Sequence, residues 1–233
     1  VLTRAALDFF AFQNRRYPRE AALEWVGNRY NLIRLERDLL GRGVFGQEEA
    51  LLRRGKRVCG SGWLGRPLVV DGHNVQITLE SALLERLLLL ANDGALRDLA
   101  GQSGKFRLSE MSAMAMDVLF GFLEEFRPSK TLFLFDAPMS HSGSLAALYR
   151  ERLRRAGLEG DARAVAVPER EIPYGECVVA SSDRAVLAQS SWWLDLARTA
   201  LDFRGSLCFT ANFAGLGLDR SSADPGLIGF LQP

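Results

Sequence analysis

Three aspartates, Asp71, Asp136 and Asp183, are the residues best placed to do chemistry. Each follows an apolar run: Leu68-Val69-Val70, Leu132-Phe133-Leu134-Phe135 and Cys177-Val178-Val179-Ala180, the last with Ser181-Ser182 in between. A short apolar run bounded by turn residues reads as a strand buried on both faces. In open α/β sheets, ligands bind beyond the carboxyl ends of the strands. Right-handed crossovers bring those ends to one edge, so three residues far apart in sequence are expected to gather. Carboxylates gathered without a basic partner raise one another's pKa, and a divalent cation removes the conflict. An all-oxygen donor set favours Mg²⁺ or Mn²⁺. Such an ion keeps waters, one of which can attack a phosphodiester. The competing account of each aspartate is local, because the turn after a strand often starts a helix that an aspartate caps.

The elements that must position these residues alternate between strand and helix, which predicts an α/β fold with a mainly parallel sheet and helices on both faces. The clearest helix is 108–126, where Ser109 can cap the start and Met111, Met114, Val118, Phe122 and Phe126 recur at helical steps. Further helices are expected over 145–156, from Ser181 and over 192–201, with another strand at 162–167. A second apolar run, 87–91, ends in Asn92-Asp93-Gly94, where Asp93 can serve the turn or a site. Before Pro67, helical patterns over 3–13, 18–39 and 47–53 form a basic helical region, residues 1–60. The α/β domain is expected over 67–202. The Gly- and Ser-rich segment 203–233 is expected to be a loosely packed tail.

Charge is uneven along the chain. Residues 1–66 carry 13 Lys/Arg against 7 Asp/Glu, and residues 67–233 carry 16 against 21. A basic front beside an acidic back fits a phosphate-binding module next to a carboxylate-lined site. The compact cluster Arg53-Arg54-Gly55-Lys56-Arg57, with Arg97, supplies the candidates for nucleic-acid contact: Arg53, Arg54, Lys56, Arg57 and Arg97. Three cysteines without a CxxC spacing suggest neither a zinc site nor a disulfide framework, and two histidines, His73 and His141, rule out a histidine-rich metal site. No apolar run reaches the roughly 18 residues of a membrane span, so the expectation is a soluble, cytoplasmic protein without a membrane partner.

The motifs together also resemble a known family. Asp71-Gly72-His73-Asn74 is similar to the Asp-Gly-Tyr-Asn opening of PIN-like nucleases of the NYN subgroup. Phe135-Asp136-Ala137 resembles their internal strand-end aspartate, and Ser181-Ser182-Asp183 their late Ser/Thr-x-Asp segment, in the right order across residues 67–202. The resemblance implies a three-layer, Rossmann-type fold with an added N-terminal helical region. It also implies a metal-dependent endoribonuclease acting on single-stranded RNA. Asp71, Asp136 and Asp183 would bind Mg²⁺ or Mn²⁺, Asn74 would orient the first carboxylate or a water, and Ser182 would support the last. Relatives carry a further acidic helix where this chain has Pro168-Glu169-Arg170-Glu171-Ile172-Pro173, so a fourth ligand is open among Asp117, Asp93 and Glu169. His73 stands where the family has an aromatic residue, which points to packing rather than base catalysis. The alternative function is a non-catalytic nucleic-acid-binding or regulatory protein that keeps the fold.

Overall fold

The computed structural model describes residues 1–99, 107–206, 208–218 and 230–232. In chain order the elements begin with α1 (Leu2–Asn14), α2 (Arg19–Arg29), α3 (Arg34–Gly43), α4 (Gln47–Lys56), β1 (Pro67–Asp71) and α5 (Gly72–Leu83). They continue with β2 (Leu88–Leu90), β3 (Leu96–Asp98), α6 (Glu110–Phe126), β4 (Lys130–Asp136), α7 (Ser142–Arg155) and β5 (Gly160–Val165). The last are α8 (Pro168–Glu171), β6 (Val178–Ala180), α9 (Arg184–Gln189), β7 (Trp193–Leu194), α10 (Leu196–Arg204), β8 (Thr210–Asn212) and β9 (Phe230–Gln232). No described helix is long and apolar enough to cross a membrane.

These elements form two compact units. One comprises residues 56–86 and 100–207 and contains a five-stranded, all-parallel sheet in the order β5-β4-β1-β6-β7. From β1 the chain builds β4 and β5 on one side, then returns to add β6 and β7 on the other. This order makes the gap between β1 and β6 a topological switch point. Helices flank the sheet, as the alternating pattern predicts. Leu68, Val69, Val70, Phe133, Leu134 and Phe135 are all buried, which is why these strands read as unbroken apolar runs. Phe120, Phe133, Phe135 and Tyr149 pack ring against ring, with centroids 4.7–6.0 Å apart. Ser109 caps α6 through a bond from the Ser112 N–H, as its place before the periodic run predicts. Gly72 follows Asp71 because nothing larger fits: a Cβ there would lie 2.4 Å from the buried Phe135 ring. Gly72→Ala is therefore expected to cost about 1–3 kcal/mol, the range for an overpacked core. Urea denaturation checks it, and a variant as stable as the parent would mean that the ring can give way.

The other unit comprises residues 1–55, 87–99 and 208–233. Its four-stranded sheet runs β3-β2-β8-β9, beside the helices α1 to α4. Two expectations are corrected here. The N-terminal helices are not a self-contained region of residues 1–60, because the 87–91 run joins them as β2. Nor is the segment after 203 wholly a loose tail. β8 lies parallel to β2, pairing Leu88 with Thr210 and Leu90 with Asn212, and β9 adds to β8 antiparallel. The reason is burial: Leu88 and Leu89 are fully covered and need strand partners, and Phe213 and Leu216 complete the same core. Residues 219–229 of the expected tail lie outside the described residues.

Candidate functional site

β1 is the central strand, and its last residue sets the site. Val70 pairs with Ala180, so Asp71 and Ser181 leave the sheet side by side at the switch point. On the other flank Asp71 pairs with Leu134, and β4 runs two residues further to Asp136. Asp183 follows β6 and caps α9, its Oδ1 accepting from the Ala185 and Val186 N–H groups at 2.7 and 3.1 Å. Asp71 likewise stands at the N-cap of α5, Oδ1 accepting from the Asn74 N–H at 3.3 Å. The capping account of both aspartates is thus correct as far as it goes, and it leaves charge over.

That charge shows in the titration of Asp71, whose carboxyl is pushed from an ordinary 3.8 up to about 7. Burial is the main cause, and the charges of Asp136 and Asp183 add to it. Bonds from the Ser181 hydroxyl and the Asn74 N–H pull the other way without overcoming it. Asp136 and Asp183 therefore each lie within electrostatic reach of Asp71.

The polar neighbours divide the work differently from the family pattern. Ser181, the first residue of the late motif and given no role there, donates to Asp71 Oδ2 at 2.8 Å and accepts from the Asp183 N–H at 3.0 Å. It bridges the first and last acids. Ser182 bears on Asp183 through the turn between β6 and α9. Its N–H and hydroxyl both donate to Asn74 Oδ1, at 2.8 and 3.0 Å. Asn74 thereby fixes the turn after β6, and its side-chain oxygen is not spent on Asp71. His73 is buried and meets the Phe135 ring edge-on at 5.2 Å. Its Nδ1 accepts from the Asp136 N–H at 3.1 Å, so that nitrogen carries no proton and the 3.5 Å approach of Asp136 Oδ2 is not an ion pair. Packing and loop positioning are its role, as the departure from an aromatic residue suggests.

The remaining candidates lie elsewhere. Asp117, mostly exposed on α6, pairs with Arg152 at 2.5 Å. Asp93 belongs to the other unit. There it is fully buried between Arg53 at 2.9 Å and Arg97 at 2.8 and 2.7 Å. Burial alone would raise its carboxyl, but the two guanidiniums hold it below the usual range. A carboxylate so neutralised is a core ion pair and not a metal ligand, which corrects its place among the candidates. Arg53 and Arg97 are corrected with it, since groups 2% and 4% exposed cannot reach a phosphate backbone. Arg54 donates to the carbonyls of Asn92 and Ala214, Lys56 to that of Ala188, and Arg57 lies over the Trp193 ring. The basic cluster is largely turned onto its own chain.

One site neighbour carried no sequence signal. Tyr174 packs over Val69, Val179 and Val186, beside the switch point. Its hydroxyl is covered and has no hydrogen-bond partner among the described residues. Its pKa is raised, first by burial and then by Glu169, Asp183 and Asp71. An unsatisfied buried hydroxyl costs about 1–3 kcal/mol. Tyr174→Phe is therefore expected to leave the melting temperature unchanged or to raise it; a clear fall would reveal a structural bond.

Among the described residues, no three His, Cys, Asp or Glu side chains are grouped so that they could hold a metal ion together. The oxygen-only donors at the strand ends and the uncompensated charge on Asp71 fit a different arrangement, in which one or two carboxylates hold an ion that keeps its waters, as Mg²⁺ commonly does.

Comparison with known proteins divides the chain once along its length, so that segment 87–99 of the N-terminal unit falls within the second match. Residues 62–199 match the family described as Domain of unknown function (DUF5616). Residues 1–56 match Protein of unknown function (DUF434), a limit that coincides with the end of the first segment of the N-terminal unit. The chain is 29% identical over 204 residues to Uncharacterized protein MJ0935 of Methanocaldococcus jannaschii, a span of 87% of this chain and 97% of that one. No solved structure matches. The match over 62–199 takes in the whole strand-end constellation from Asp71 to Asp183, and the chain belongs to the DUF5616 family.

Proposed function

We propose that this protein is a divalent-cation-dependent ribonuclease of PIN-like type that hydrolyses phosphodiester bonds of single-stranded RNA at the switch point. The observation that carries the reading is Asp71, raised to about 7 by burial and by two neighbouring acids at the carboxyl edge of a parallel sheet. Perturbed acids in such a place are candidates for chemistry. When bound, Mg²⁺ or Mn²⁺ supplies charge to the phosphoryl oxygens and acidifies a water. The chain's own residues do the rest. Asp71, near neutrality in its proton affinity, takes a proton from the attacking water or returns one to the leaving oxygen. Ser181 holds Asp71 in line with Asp183, while Asn74 and Ser182 fix the turn that carries Asp183. His73 keeps the β4 end, with Asp136, in place.

A second reading, RNA binding without cleavage, draws on one observation: the lack of a group of three metal-binding side chains among the described residues. One assay separates the two. The purified chain is incubated with labelled single-stranded RNA in Mn²⁺, in Mg²⁺ and in a chelator. Cleavage in the first two and not the third supports the nuclease; binding without cleavage in any of them supports the alternative.

A further inference from the structure

We infer, on the preceding reading of the switch point, that Tyr174 is a positioning residue for the cation, its phenolic oxygen holding one of the waters that the ion keeps. Three neighbouring strands set the place. On β4, β1 and β6, Leu134, Val69 and Val179 belong to one apolar cluster, against which Tyr174 packs. Side chains two apart along a strand share a face. Asp136, Asp71 and Ser181 each stand two residues beyond one of these three, and Ser181 and Asp71 are bonded to each other. The ring therefore lies on the face from which the polar groups of the site project.

The hydroxyl of this ring is enclosed and has no partner among the described residues, although the charges of Glu169, Asp183 and Asp71 all act on it. A phenyl ring would fill the apolar cluster equally well. Buried hydroxyls in native proteins are paired, with protein or with ordered water, so the partner here comes from outside the chain. The acids select it. An anion is repelled by them, whereas a hydrated cation serves carboxylates and phenol together. Mg²⁺ held by one or two carboxylates keeps several waters. Each of these turns a lone pair to the ion and its hydrogens outward, where carboxylate and phenolic oxygens accept them. Burial and the neighbouring acids raise the pKa of Tyr174, which keeps it an uncharged acceptor and not a phenolate ligand. Partners of this outer kind orient what the ion holds, and losing one weakens metal binding.

The test is a titration of the full chain with Mn²⁺ alone at about pH 8, where Asp71 is ionised. Electron paramagnetic resonance follows the free ion. Tyr174→Phe should weaken Mn²⁺ binding about ten- to a hundredfold. Thermal melting separates this effect from a structural role. In chelator Tyr174→Phe should melt no lower than the parent, while in Mn²⁺ the parent should gain more than the variant, by mass action. Unchanged Mn²⁺ affinity in Tyr174→Phe overturns the role of Tyr174, since an ordinary water then serves the hydroxyl. So does a melting point lowered equally with and without Mn²⁺. Asp71→Asn keeps the two readings apart. If it loses Mn²⁺ and Tyr174→Phe does not, the cation site stands and the role of Tyr174 falls. If the parent binds no Mn²⁺, or Asp71→Asn binds it as the parent does, the cation site falls and takes the role of Tyr174 with it.

Discussion

Asp71→Asn is expected to abolish the proposed cation-dependent RNA cleavage while making the folded protein more stable at neutral and alkaline pH. The loss of activity is expected at about a hundred- to ten-thousandfold, the usual worth of a positioned proton-transfer group. The gain in stability follows from the same titration. The ordinary value of the carboxyl is 3.8, and in the folded chain it is about 7. Between these values the unfolded chain has released the proton and the folded chain keeps it. Stability therefore falls as pH rises through that window, by at most about 1.4 kcal/mol per pH unit for one group. The contribution is fully present below 3.8 and gone once pH has passed 7. Asparagine has no proton to lose and can still accept from the Asn74 N–H and bond the Ser181 hydroxyl. Its stability relative to the parent should thus grow from about pH 4 to about pH 7 and then level. Urea denaturation of both proteins across that range measures the difference. A difference that stays constant with pH would remove Asp71 as the perturbed acid; cleavage retained by the variant would remove it from the chemistry.

Asp93→Ala should be the most damaging single change to the N-terminal unit, at about 3–5 kcal/mol, the range for removing one partner of a buried ion pair. Asp93 accepts from both Arg53 and Arg97, and all three side chains are enclosed. Arg19, Arg53 and Arg97 each lie over the Phe45 ring, with centroids 4.5–5.1 Å from the guanidinium carbons. Deleting this carboxylate removes the charge that both buried guanidiniums share and leaves Arg53 its pair with the half-exposed Glu49. Arg97→Met, which leaves the Arg53 pair intact, should cost less. Replacing Asp93, Arg53 and Arg97 together with apolar residues of like volume should recover much of the loss, because the desolvation cost goes with the charges. Chemical denaturation of the three variants decides it. A loss below about 1 kcal/mol in Asp93→Ala, typical of a solvent-exposed pair, would mean that the cluster is hydrated.

What the sequence by itself determined is what neighbouring residues encode. The runs before Asp71, Asp136 and Asp183 are apolar throughout because their strands are covered on both faces, and each aspartate ends or follows one because the strand gives way there to a turn. Ser109 before a helical period marked the start of α6. Alternation of such segments sufficed for an α/β fold with a parallel sheet. Two-residue β7 is too short to show any period, and it was read as the start of the helix that follows it. What only the tertiary structure decided rests on partners distant along the chain. Ser181 and Asp71 are 110 residues apart, and Arg53 and Asp93 are 40. Nothing in the spacing says that an arginine cluster will be spent on a buried carboxylate, or that residues 210–212 will complete a sheet begun at residue 88. Burial sets those pairings, because an enclosed charge or an unpaired strand is too costly to leave alone. The sequence placed three acids at strand ends; the fold determined that Ser181 joins two of them and that Asp93 and its arginines belong to a core.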